Sequence, residues 1–297
     1  MQDVENLAGQ KKAERKSARK VVKRNWPRAK VIRKAGWDDL KLKKHSKASL
    51  STTPIEGVSY NYELPGSEQF LLDEFHRTDF QKVVVAIPAI QDPTWFFVLA
   101  LNSIAYPPNY TKSNNICWGR EVGEARNHLV RQAIEHDFQY ILFLDDDVLP
   151  TPDLYVKLLR HKTDIASALY CTKSNPSYPL IFEVEGEGCF SKWKLGDTVK
   201  VWGCGLGATL INLDIFRSGK ISEPWFKTTK MSAVEDEGAF HMKSGTEDLF
   251  FYTKVMEAGY EVLVDTSVQL FHYDRLTKIR YPMEGFKNWY ERKRWVD

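Results

Sequence analysis

The chain has 297 residues, 43% of them hydrophobic and 13% aromatic, which is enough apolar material for a packed core and too much for a disordered chain. Its net charge of +3 hides an asymmetry, because the first 50 residues hold 16 Lys and Arg against 5 Asp and Glu, a net +11, leaving −8 for the other 247. Four scattered cysteines without a C-x-x-C pair exclude a zinc ribbon or a disulfide framework, and no run approaches the roughly 18 apolar residues that span a bilayer.

The opening Met1-Gln-Asp-Val-Glu-Asn lacks the basic-then-apolar order of a signal peptide, so a soluble cytoplasmic protein with reduced thiols is expected. Residues 1–60 read as a basic arm and linker, with Trp26 and Trp37 set among the Lys and Arg of 11–47. A compact domain is expected over 61–275 and a basic, aromatic segment over 276–297. Apolar runs and periodicity predict a strand over 83–87, helices over 95–104 and 121–136, a strand over 140–144 and a helix over 152–161. Strands over 165–170, 180–184 and 205–212 follow, then a helix over 247–258 and strands over 261–264 and 268–273. This alternation predicts an α/β domain with a mainly parallel sheet covered by helices on both faces.

Five constellations can carry chemistry. Asp145, Asp146 and Asp147 end a buried apolar run, at the strand end where open α/β sheets place ligands. Two unit charges about 4 Å apart repel by roughly 4 kcal/mol at an effective dielectric near 20, so a cation must offset them. Mg²⁺ or Mn²⁺ carrying a phosphorylated ligand suits such oxygen donors. Strand alternation would send Asp145 and Asp147 one way and Asp146 the other; an acidic surface turn is the bland alternative. Ser244 and Glu247 have capping-box spacing, while Asp248 fits a first-turn acid or a general base equally well. His272 alternates with Val268 and Leu270 and is either structural or a metal ligand. The glycines of Trp202-Gly-Cys-Gly-Leu-Gly-Ala208 allow close backbone approach to a ligand, or a tight bulge, and show no dinucleotide-binding order. Arg126 could reach a phosphate or an acidic partner, or lie exposed on its helix.

In this order the motifs resemble the GT-A class of nucleotide-sugar glycosyltransferases, specifically the family-2-like group with its small stand-alone viral and prokaryotic members. The resemblance covers roughly residues 80–275. It rests on Val83-Val-Val-Ala-Ile-Pro88, Ala125-Arg126-Asn127, Asp145-Asp146-Asp147 as the D-x-D motif, Gly203-Cys-Gly-Leu-Gly207, Pro224-Trp225-Phe226, Thr246-Glu247-Asp248 and His272. It implies a GT-A type, Rossmann-like mixed sheet sandwiched by helices, with a basic amino-terminal extension. It also implies a hexosyltransferase-like enzyme moving a sugar from a nucleotide-sugar, UDP- or GDP-linked, to an acceptor hydroxyl with inversion. The implied donor-binding residues are Pro88, Ala89, Arg126, Asp145, Asp146, Lys173, Gly205 and Gly207. A Mn²⁺ or Mg²⁺ ion would be held by Asp145, Asp147 and His272. Asp248 would be the base, and Glu247 a cap or acceptor contact.

The basic arm is either a solvated tail or a footprint for nucleic acid or an anionic membrane surface, so nucleic acid through 11–47 is a possible acceptor or partner. The carboxy-terminal segment is expected to pack as a final helix. Two other classes compete with sugar transfer: a metal-dependent nuclease or nucleotidyltransferase, which would hold paired cations with several carboxylates, and a catalytically silent nucleic-acid-binding protein. A viral member would work in the host cytoplasm.

Overall fold

The structure, a computed structural model, describes residues 30–32, 80–236 and 239–282. The expectations for the rest of the basic arm, for the linker and for 283–297 lie outside the described residues. The first half of the fold runs β1 (Lys30–Ile32), β2 (Gln81–Ala89), α1 (Trp95–Ser103), β3 (Tyr110–Trp118), α2 (Val122–Glu135), β4 (Tyr140–Leu144), β5 (Val148–Leu149) and α3 (Leu154–Leu159). It continues with β6 (Ile165–Leu169), β7 (Ile181–Phe182), β8 (Thr198–Val201), β9 (Gly203–Cys204), β10 (Ala208–Asn212) and α4 (Asp214–Arg217). The last elements are β11 (Thr229–Asp236), β12 (Ala239–Gly245), α5 (Glu247–Glu257), β13 (Val262–Gln269), β14 (Phe271–Tyr273) and β15 (Arg280–Tyr281).

Eight strands form the main sheet in the order β1-β8-β13-β6-β10-β4-β2-β3. The sheet is mixed rather than mainly parallel. The β3–β2, β2–β4 and β6–β13 pairs are parallel, whereas β10 enters between β4 and β6 antiparallel to both, and β8 is antiparallel to β13 and to β1. Both faces are covered, which is why β2 and β4 are apolar without a break. Val84, Ala86, Ile141 and Phe143 pack on one face with Leu129 of α2 and Phe251 of α5. Val83, Val85, Ile87, Leu142 and Leu144 pack on the other with Phe97 of α1 and Leu154 of α3. This helix-covered mixed sheet is consistent with the Rossmann-like, GT-A-type expectation.

Helix α2 falls one residue inside its expected range at each end. Glu121 caps it by accepting from the Glu124 amide at 3.0 Å, and its buried stripe of Arg126, Leu129, Val130 and Ala133 follows the helical repeat. Strand β3 escaped prediction because its Thr-Lys-Ser-Asn-Asn stretch is almost wholly exposed, and polar edge strands carry no apolar alternation. The strands expected over 261–264 and 268–273 are instead β13 and β14, which break at Leu270.

Asp265 sits at an irregularity in β13 and is 1% exposed. Its Oδ2 lies 2.8 Å from His161 Nε2 and 3.0 Å from Arg160 Nη2, and its Oδ1 accepts from the Ser267 amide at 2.9 Å. Burial alone would raise this carboxyl, but the hydrogen bonds of His161 and Ser267 and the charges of His161 and Arg160 outweigh it and hold the group well below the usual carboxylate range. A depressed folded value adds stability that is present above the unfolded value of about 4 and is lost as pH falls through the folded one. Asp265→Asn is therefore expected to cost about 3–5 kcal/mol near neutrality, the usual loss when a buried ion pair is broken. Urea titrations over a pH series should show this gap narrowing below about pH 4.

Candidate active site

Strands β2 and β4 are parallel neighbours, and their carboxyl ends open into one cleft of about 390 Å³. Pro88, Ala89 and Gln91 line it from the β2 side, and Asp145, Asp146 and Asp147 from the β4 side. Arg120, Lys173 and Arg275 supply its positive charge. The three aspartates do not continue the strand, since β4 ends at Leu144 and the Val148 amide donates to the Asp145 carbonyl at 3.0 Å. The alternating-face expectation therefore gives way to a turn in which all three carboxylates reach the cleft, each with its own cation.

Asp145 accepts from Arg126 Nη2 at 2.8 Å, while Arg126 Nε lies 3.3 Å from Glu247 Oε1. Arg126 is 2% exposed, so it is no surface helical arginine. Its guanidinium lies 5.0 Å from the centre of the Phe143 ring, and its Nη1 is buried without a hydrogen-bond partner. Burial works against its charge, but Asp145 and Glu247 outweigh it and hold the guanidinium firmly protonated. The next residue, Asn127, accepts from the amides of Trp225 and Phe226 at 2.9 and 3.1 Å and donates to the Phe226 carbonyl at 2.7 Å. The Ala-Arg-Asn triplet thus fastens the Pro-Trp-Phe segment with one side chain and joins two acidic motifs with the other.

Asp146 Oδ2 lies 2.7 Å from Arg275 Nη2, and Arg275 also donates to the carbonyls of Asp92 and Asp146. Burial pushes the Asp146 carboxyl up to about 6 despite that arginine, with help from the charges of Asp147 and Asp145. For Asp147 the balance is reversed. Burial raises it, but His272 and Lys173 prevail and bring it to about 2. Asp147 Oδ2 holds the Lys173 ammonium, and Oδ1 lies 3.3 Å from His272 Nε2. His272 Nδ1 is 2.8 Å from the Cys171 carbonyl, which can only accept, so Nδ1 carries a hydrogen. Nε2 is left to meet Asp147 as a second N–H or as a lone pair sharing a cation, the usual arrangement of a metal-ligating histidine.

Asp147 and His272, whose donor atoms face one another, are the residues that could hold a divalent ion. Asp145 Oδ1 meets Arg126, and among the described residues no three His, Cys, Asp or Glu side chains gather as a metal cluster.

The glycine loop serves the protein itself. A methyl group on Gly205 would stand 2.1 Å from the Tyr170 hydroxyl oxygen, and one on Gly207 would stand 2.7 Å from Asp145 Oδ2. The Gly207 amide donates to the Tyr170 hydroxyl at 2.8 Å, and the Tyr170 ring meets His272 edge-on at 5.5 Å. Neither Gly205 nor Gly207 lines the cleft. Gly205→Ala is expected to lower stability by about 1–3 kcal/mol, the common cost of overpacking, measured by denaturant titration.

The capping box is not formed in the expected register. Thr246, not Ser244, is the N-cap of α5, and Glu247 is the first helical residue. Its carboxylate is freed from capping and turns to Arg126. Burial raises the Glu247 carboxyl and Arg126 lowers it, with a net rise. Asp248 accepts from the Leu249 amide at 2.8 Å and from the Thr246 hydroxyl. Burial raises its carboxyl from its ordinary value, and the nearby Asp145 charge adds to the rise. Neither acid lines the cleft directly, since Arg126 stands between Glu247 and Asp145.

Of the expected site residues, Pro88, Ala89, Asp145, Asp146, Asp147 and Lys173 come together in the cleft, and His272 joins through Asp147. Sequence reasoning passed over Tyr170, Cys171, Arg120 and Arg275. The end of the predicted strand over 165–170 was the signal for the first two. Among the described residues no helix is long and apolar enough to cross a membrane.

No family model and no curated protein matches the chain. Among solved structures, the chain is similar to the crystal structure of A197 from STIV, at 19% identity over 66% of this chain and 86% of that one, with a TM-score of 0.46. It is also similar to the crystal structure of GalNAc-T7 with UDP, GalNAc and Mn2+, at 11% identity over 71% of this chain, with a TM-score of 0.42, and it spans only 45% of that chain.

Proposed function

We propose that this chain is a metal-dependent glycosyltransferase that moves a sugar from a nucleotide-sugar to an acceptor hydroxyl with inversion. The observation that carries this reading is the pairing of Asp147 with His272 beside two further aspartates, in a cleft at the carboxyl ends of parallel strands. The order of the motifs adds to it. Asp147 and His272 would hold the ion, which when bound supplies positive charge to the diphosphate leaving group. Pro88 and Ala89 shape the nucleotide's side of the cleft, and Lys173 and Arg120 offer cations to its phosphates. Asp248, outside the donor cleft in the first turn of α5, would face the acceptor and take its hydroxyl proton as the new C1–O bond forms and the C1–O bond to the diphosphate breaks. Glu247 and Arg126 fix the position of Asp145 next to that centre.

The competing nuclease chemistry uses two cations held by several carboxylates, so phosphodiester cleavage is the activity that separates the two readings. The test is a thermal-shift screen of UDP-, GDP-, CMP- and dTDP-sugars with and without Mn²⁺, since a ligand bound only by the folded state raises its stability. One nucleotide should raise the melting temperature only with Mn²⁺, and Asp147→Ala should abolish the shift. No shift with any donor, combined with phosphodiester cleavage, would overturn the reading.

A further inference from the structure

Resting on that metal reading, we propose that Lys173 is a built-in counter-ion for the metal-binding carboxylate, one that a divalent ion must displace, so that Lys173 sets the protein's affinity for the metal. Both oxygens of Asp147 are taken: Oδ1 faces His272 Nε2 at 3.3 Å and Oδ2 holds the Lys173 ammonium. The two cationic partners differ in freedom. His272 is fixed by the Cys171 carbonyl at 2.8 Å, by the edge-on Tyr170 ring and by pairing opposite Val148 in the small sheet. The Asp147 main chain is fixed as well, because its carbonyl accepts from the Tyr273 amide at 2.7 Å.

Lys173 has no such restraint on its charged end. It stands on the cleft wall on a four-carbon stem, its side chain 30% exposed. The other two cations paired with these aspartates are held more firmly, Arg275 by Asp146 and two carbonyls and the buried Arg126 by Asp145 and Glu247. Lys173 is therefore the partner that can withdraw. An ion arriving at Asp147 and His272 brings two positive charges next to the ammonium and takes the carboxylate that stabilised it, so the two cations compete for one anion. The stretch from Tyr170 to Lys173 thus orients the histidine and supplies the competitor to the metal.

The test is calorimetric titration of Mn²⁺ alone into the full chain and into Lys173→Met, which keeps the stem and removes the charge, and into Lys173→Arg, which keeps the charge. Lys173→Met is expected to bind Mn²⁺ roughly 5- to 150-fold more tightly than wild type, the ordinary span of coupling between two ligands. Lys173→Arg should stay near the wild-type affinity. Lys173→Gln serves in place of the Met variant if the latter loses its near-UV circular dichroism. Mn²⁺ binding that is lost in Asp147→Ala yet unchanged or weaker in Lys173→Met overturns the counter-ion role and leaves the metal site standing. Absence of Mn²⁺ binding from wild type and every Lys173 variant removes the metal site itself, and the proposal with it.

Discussion

Replacing Asp248 by Asn is expected to lower turnover by about 10²-fold or more, the scale on which a positioned general base contributes. The substitution keeps an oxygen that can accept from the Leu249 amide, so the start of α5 should remain in place. The Mn²⁺-dependent thermal shift with the donor should persist as well, because Asp147 and His272 are untouched. Loss of kcat with retained donor binding is thus the signature of the base, while equal loss of both would indicate a structural defect. Since burial raises the Asp248 carboxyl, wild-type activity should fall off on the acid side at a higher pH than an unshifted aspartate would give. The base is consumed as pH drops through that raised value. Near-normal turnover in Asp248→Asn would remove this residue from the mechanism.

Arg126→Ala should produce a large loss of stability. The side chain is 2% exposed and answers two carboxylates at once, Asp145 at 2.8 Å and Glu247 at 3.3 Å. Truncating it strands both acids without their cation, at a cost of about 3–5 kcal/mol for breaking a buried ionic contact. The sign of the pH dependence follows from linkage. Without the arginine, nothing offsets the burial that already raises the Glu247 carboxyl, so the penalty is full at neutral pH and eases as acid neutralises that group. Adding Glu247→Gln to Arg126→Met should recover part of the loss, because residues sharing one network are not additive. Denaturant titration of the single and double variants at two pH values measures both effects. Full additivity would show that Arg126 and Glu247 are not coupled.

Several elements were legible in the sequence for direct physical reasons. The run from Tyr140 to Leu144 has no polar residue and must be buried on both faces, and β4 is indeed a central strand. Helix α2 was legible from its apolar periodicity, and the structure buries that stripe. The need to offset three adjacent aspartates was also legible from Coulomb's law, without indicating what would do it.

The partners were not legible because they come from distant parts of the chain. Arg126 is 19 residues before Asp145, Lys173 is 26 after Asp147, and Arg275 is 129 after Asp146. Spacing rules describe a strand or a helix, and the aspartates lie on neither, so the alternation argument had no purchase on them. The capping-box pattern failed similarly. Ser244 and Glu247 have the right interval, but β12 runs to Gly245 and moves the helix start to Thr246, which leaves Glu247 for the buried arginine. The sequence by itself determined the buried strands, the helix periods and the acidic identity of the site. The tertiary structure alone decided the strand order of the sheet, that the glycine loop makes room for Tyr170, and which cation answers each acid, because those outcomes depend on contacts between segments far apart in the chain.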